Sequence, residues 1–200
     1  MARFLSGEAL NDALRIVIQE SRKRLIIVSP RIRFHPYFRK LLKVKQLQPH
    51  VEVIVLIGKS GSGFSRNIHQ KDLDFLCEFP NIRIYCEPLL QAKFYANEKY
   101  SLLTTMDFHD LAQEYNVEAG VFSTSTVWNN LFGNALDSQS FAFFQQVIRK
   151  SELLFERRPV YERNFWGQKK HYLDSETHVD QFHKPAEDES AGQDERLPGL

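Results

Sequence analysis

Cysteine is scarce in this chain, with two residues in 200, Cys77 and Cys86. They have neither metal-ligand spacing nor the partners of a disulfide framework, so both are expected as buried thiols. No apolar run approaches the roughly 20 residues of a membrane span. The first residues, MARFLSGEAL, lack the apolar centre of a signal peptide, and a cytosolic location is the expectation. The glycine-rich stretch at residues 58–63, GKSGSG, lacks the order of a phosphate loop, in which Gly-Lys-Ser/Thr closes a spaced glycine loop and opens a helix. A surface connection is expected there instead. Net charge is nearly absent too, at +1, but that total conceals a gradient. Residues 1–100 carry 17 Lys and Arg against 9 Asp and Glu, residues 101–179 carry 7 against 10, and residues 180–200 carry 2 against 6. A basic first half is followed by an acidic tail.

What is present is the alternation of an α/β domain. Ser6 is the expected N-cap of a first helix, in which Leu10, Ala13, Leu14, Val17 and Ile18 recur at helical spacing to about Lys23. Residues 25–29 and 51–57 are continuously apolar and β-branched, as in strands covered on both faces. Between them, the basic stretch 31–45 carries the apolar stripe of a second helix, with Pro36 suited to its first turn. A short helix over 72–79 and a strand over 81–86 follow. This order predicts a mixed central sheet flanked by helices. Helices are expected at 126–135 and 138–155, with Phe141 and Phe144 on a partly buried or dimer-forming face.

After residue 155 the pattern decays. Arg157, Arg158, Arg163, Lys169 and Lys170 interleave with Tyr161, Phe165, Trp166 and Tyr172. That mixture suits nucleic acid, by phosphate neutralisation and stacking, or an extension that packs its aromatics on the domain. Three regions are therefore expected: a domain over 1–155, a basic-aromatic extension over 156–179, and an acidic tail over 180–200 without the apolar residues to order it.

The centre of the chain is residues 87–121. Gln91, Lys93 and Tyr95 alternate with Ala92, Phe94 and Ala96, then Asn97, Glu98 and Lys99 interrupt, and residues 100–104 resume an extended run. With those three residues as the loop, Gln91 lies opposite Thr105 and Lys93 opposite Leu103. Gln91, Lys93, Thr105 and Asp107 then gather at the open end of one hairpin.

These residues resemble a degenerate copy of the phospholipase D superfamily motif, which is His-x-Lys, four residues, Asp, and after a short run Gly-Ser-x-Asn. Gln91-x-Lys93, Glu98 and Thr104-Thr105-Met106-Asp107 occupy its places. Asn116-Val117-Glu118-Ala119-Gly120 resembles the Asn-x-Glu-x-Gly strand that follows it, and residues 25–30 and 51–58 resemble the early strands. The likeness covers most of residues 4–150. It implies a phosphohistidine mechanism without metal or cofactor, in which the His attacks phosphorus while Lys and Asn hold phosphate oxygens. Here Gln91 stands at the His position, and a carboxamide is not a nucleophile. Asp107 replaces the Asn and is expected to pair with Lys93. Glu118 matches the carboxylate that orients the His, and is expected to accept from Gln91 or pair with Lys93.

One motif copy per chain implies a homodimer with a shared cleft. The reading that follows is an impaired phosphodiesterase-like protein that binds DNA or RNA through Lys93, Thr105 and Gln91, with Arg31, Arg33 and Lys59 as a basic approach. Two alternatives stand beside it. An active nuclease requires a histidine as the natural residue at position 91, or His109 as a displaced nucleophile. A protein-interaction module would use the dimer surface alone.

Overall fold

The computed structural model describes residues 2–59, 67–109, 117–124, 136–163 and 170–183. The expected helix at 126–135, most of the glycine-rich connection, Asn116, and residues 184–200 of the acidic tail lie outside them. Among the described residues, nine strands form one sheet in the order β1-β7-β6-β5-β2-β3-β4-β8-β9. The middle is parallel: β2 (Arg24–Ser29) pairs with β3 (Glu52–Ile57), and β3 with β4 (Ile82–Cys86). On one side the antiparallel strands β5 (Lys93–Asn97), β6 (Tyr100–Thr104), β7 (Ala119–Thr124) and β1 (Ala2–Ser6) extend it. On the other, the hairpin of β8 (Glu152–Arg163) and β9 (Lys170–Asp180) does so.

Because β2 and β3 are apolar at nearly every position, the sheet needs cover on both faces. Three helices, α1 (Glu8–Gln19), α2 (Pro36–Gln46) and α3 (Gln70–Cys77), bury Leu14, Val17, Phe38, Leu42 and Leu76 against Leu25, Ile27, Val55 and Ile84. The opposite face packs Ile26, Val28, Ile54, Leu56 and Phe94 against Phe144 and Ile148 of α4 (Leu136–Lys150). This is the helix-flanked mixed sheet that the alternation predicts. Cys86 is buried and Cys77 partly so, and burial pushes the Cys77 thiol up to about 12.

Four local expectations are corrected. Ser6 does not cap α1, because it is the last residue of β1 and pairs with Ala119; Gly7, at φ 59°, makes the turn into the helix instead. That helix stops at Gln19 rather than near Lys23. The buried Lys45 ammonium donates to the carbonyls of Gln19 and Ser21, each at 2.9 Å, and satisfies the helix end from another element. The helix expected to reach Phe155 stops at Lys150, where Ser151 Oγ donates to the Val147 carbonyl at 2.9 Å. Leu154 and Phe155 are then buried in the sheet core, with Phe155 opposite Ile84.

The fourth correction is the hairpin register. Lys93 lies opposite Thr104, and Phe94 opposite Leu103, one residue away from the expected pairing. Asn97 belongs to β5, and its Oδ1 accepts from the amides of Lys99 at 2.7 Å and Tyr100 at 2.8 Å. That Asx turn shortens the loop to Glu98 and Lys99.

Beyond residue 155 the chain continues in the same sheet. Tyr161 and Tyr172 face each other across the β8–β9 hairpin with ring centroids 6.1 Å apart. Arg158 and Arg83 both bind the Glu156 carboxylate at 2.8 Å. Of the tail expected from residue 180, Asp180 closes β9 and Phe182 packs against the larger core.

Candidate functional site

The parallel strands β2 and β3 end at Ser29 and Ile57, and the open end of the β5–β6 hairpin meets them there. Val28 pairs with Phe94, which sets Lys93 beside Ser29 at the carboxyl end of the parallel strands. The connection after β6 and the start of β7 complete the same rim. In open α/β sheets this end is where loops converge and ligands bind.

Lys93 is at the centre of the polar network. Its Nζ donates to the Thr105 carbonyl at 2.6 Å and pairs with Asp107 Oδ2 at 2.9 Å. Their side chains are 21% and 38% exposed, so the pair is reachable from solvent. Ser29 Oγ donates to the Arg31 carbonyl at 2.7 Å and lies 3.4 Å from Asp107 Oδ1. Thr105 Oγ1 donates to Glu118 Oε2 and accepts from the Ala119 amide at 3.1 Å. Thr104 Oγ1 donates to the Ala119 carbonyl at 2.8 Å and accepts from the Met106 amide at 3.1 Å. A Cβ at Gly120 would sit 2.8 Å from the Leu103 carbonyl oxygen, so β7 approaches β6 at a distance that only glycine allows. Beneath the rim, the fully buried Tyr95 hydroxyl donates to the Met106 carbonyl at 3.0 Å. Burial, with the Asp107 carboxylate adding to it, pushes the Tyr95 phenol far up and keeps it neutral.

Lys93, Thr105, Asp107 and Glu118 are thus brought together, with the Lys93–Asp107 pair that the sequence suggests. Gln91 is not part of the network. It precedes β5, is exposed, and its amide finds no hydrogen-bond partner among the described residues. Glu118 accepts from Thr105 rather than from Gln91 or Lys93, which corrects the expected pairing. Arg31, Arg33 and Lys59 are exposed on the connections that leave β2 and β3 at this same end. His109 is exposed in the connection after Asp107. Sequence reasoning missed Ser29 and Tyr95, although a hydroxyl closing an apolar strand such as LIIVS is a signal of polar contact at a strand end.

Glu98 lies at the far end of the hairpin from Lys93. Its carboxylate accepts from the backbone amides of Arg22 at 2.8 Å, Lys23 at 3.4 Å and Arg24 at 3.5 Å. Burial works against its charge, but these bonds and one from its own amide outweigh it and hold the carboxyl below the usual range. A depressed folded pKa stabilises the fold above the unfolded value, and the gain is lost as pH falls through the folded one. Glu98→Gln should therefore cost about 1–2 kcal/mol at neutral pH, allowing for solvent screening. Urea unfolding at neutral and acid pH should show the deficit shrinking in acid. An undiminished deficit at low pH would mean that shape, not charge, makes the contact.

No protein-family model and no curated protein sequence matches this chain. Solved structures do match. NucT from Helicobacter pylori aligns with a TM-score of 0.57 at 13% identity, over 77% of this chain and 99% of its own. Nuc from Salmonella typhimurium, described as a phospholipase D family member, aligns with a TM-score of 0.55 at 13% identity, over 76% and 98%. The fold is phospholipase D-like. Phosphatidylserine synthase from Haemophilus influenzae shares it, with a TM-score of 0.59 at 15% identity, over 76% of this chain and 39% of its own. Identities this low carry the fold and leave the chemistry to the residues of the rim itself. Among the described residues, no helix is long and apolar enough to cross a membrane. None of them forms a group of three or more His, Cys, Asp or Glu placed to hold a metal ion.

Proposed function

We propose that this chain binds a phosphodiester, DNA or RNA, at the phospholipase D-like rim, and that its catalytic centre is disabled. The observation that carries the reading is Lys93. Its ammonium stands at the rim, partly exposed, and is held by a carboxylate 2.9 Å away. A ring nitrogen that attacks phosphorus and later leaves is what the phosphohistidine route requires, and the Gln91 carboxamide supplies neither step. Binding needs less. An incoming phosphate displaces Asp107 from Lys93, with the Thr105 and Ser29 hydroxyls close by and Arg31, Arg33 and Lys59 around the approach. Two chains meeting at the rim form the homodimer of this reading, with the two Gln91 side chains facing each other. The active-nuclease alternative shares this binding site and needs an imidazole nucleophile, a histidine at position 91 or His109, together with a Lys93 released from Asp107.

Fluorescence anisotropy with a labelled oligonucleotide tests the reading. Affinity should fall steeply with salt, and Lys93→Ala should weaken binding across sequences and reduce the salt slope by about one. Asp107→Asn should tighten it, because the internal competitor for Lys93 is removed. Salt-independent binding, or binding indifferent to Lys93, would leave an interaction module as the function. Sedimentation of the same samples reads the protomer number, and a monomer removes the shared cleft.

A further inference from the structure

On the α4 face of the sheet, opposite the face that carries Lys93 and Tyr95 but at the same end of β5, lies a groove that the phosphate network does not use. It has a volume of 290 Å³ and runs between the β4–β5 connection and α4, with Leu89 and Gln91 on one wall and Phe143 and Phe144 on the other. Phe144 is buried and stacked on Phe94, with centroids 4.4 Å apart and planes 17° from parallel. It is therefore core, the first of the two places expected for it. Phe143 sits edge-on against it at 5.1 Å and 79°, while 57% of its own surface is open to solvent. Leu89, across the groove, is 85% exposed. The result is a rigidly backed aromatic ring at the mouth of a small apolar slot. Glu87, Gln91 and Lys150 add polar groups along the lining.

We infer that this groove holds a nucleobase adjacent to the phosphate at Lys93, which makes the ligand a single strand with splayed bases. The inference rests on the phosphodiester-binding reading and names the form of nucleic acid. Gln91 joins the two sites: it lines the groove and stands two residues before Lys93, no more than roughly 7 Å along the chain. The groove carries one acid and one base, Glu87 and Lys150, so it suits a neutral ring better than a second phosphate. Its volume is at the small end for ligand sites, enough for one planar ring system and too short for a long acyl chain. A base edge also brings donors and acceptors to the Gln91 amide and Lys150, where a hydrocarbon brings none. A base within a duplex is already stacked on both faces and cannot enter.

The test compares a short single-stranded oligonucleotide with an abasic strand of the same length and charge, and with anionic lipid vesicles. The base-bearing strand should bind more tightly than the abasic one. Phe143→Ala, at an exposed position, should weaken the base-bearing strand about tenfold while leaving the abasic strand and both salt slopes unchanged. Equal affinity for the two strands overturns the base site but leaves phosphate binding intact. Failure of both strands to bind at low salt overturns the phosphodiester reading and this inference together. Vesicle capture that depends on Phe143 would assign the groove to a lipid chain. A halved mass of Phe143→Ala in sedimentation would assign it to a second copy.

Discussion

Gln91→His alone should leave phosphodiester turnover at background, whereas Gln91→His combined with Asp107→Asn should raise it by at least about a hundredfold. The single change supplies a ring nitrogen but leaves Lys93 bound to Asp107 at 2.9 Å, with Ser29 Oγ 3.4 Å from the other carboxylate oxygen. A phosphate entering beside that carboxylate meets like charge and an ammonium already neutralised. Asparagine at 107 removes the repulsion, frees Lys93 for a phosphoryl oxygen, and supplies an amide donor of its own. The imidazole then attacks phosphorus and forms the P–N bond as the P–O bond to the leaving group breaks. In the proposed homodimer, the imidazole of the second chain would give the leaving oxygen its proton. Residues that act as one unit are strongly non-additive, so the pair must be compared with both single variants. A phosphohistidine trapped at position 91 of the double variant would establish the route. If the double variant neither turns over nor traps an adduct on nucleic-acid or bis-ester substrates, the rim is not a disabled phosphodiesterase centre and the interaction module becomes the better reading.

How much of this arrangement the sequence discloses depends on how local its causes are. β2 and β3 are legible because a short β-branched apolar run has few other homes, and α2 because Pro36 marks its first turn. The stop of α1 is not legible, since Lys45 and Glu98 reach it from distant parts of the chain. The change from α4 to β8 is hidden for a similar reason. Leu153, Leu154 and Phe155 carry no strong local preference, and pairing with β4 decides their state. The hairpin register lies one residue from the expected pairing because Asn97 serves as both a strand residue and a turn acceptor. That slip matters, since a one-residue shift changes which side chains share a face. In the site, the Lys93–Asp107 pair follows from opposite charges gathered at the open end of one hairpin. The Thr105–Glu118 bond does not, because it depends on how the segment after β6 folds back onto the start of β7.

Phe94→Ala should be the most destabilising single change near the site, costing about 3–5 kcal/mol. Phe94 is fully buried between the two neighbouring strands, opposite Val28 and Leu103, and its outer face stacks on Phe144 at 4.4 Å. It packs in the smaller core with Ile26, Val28, Leu90 and Ile148, so truncation removes ring burial and leaves a cavity beneath α4. For a chain of this length the loss corresponds to a fall in melting temperature on the order of 10 °C. Lys93 and Tyr95 flank Phe94 in the same strand, and their contacts with Thr105, Asp107 and Met106 face away from the cavity. Phosphate affinity measured on the folded variant should consequently change little, while discrimination between base-bearing and abasic strands should collapse, because Phe143 loses its backing. Phe94→Leu should recover most of the stability without restoring the flat aromatic platform. If Phe94→Ala melts within a degree or two of the parent, α4 does not depend on this stack for its seat on the sheet.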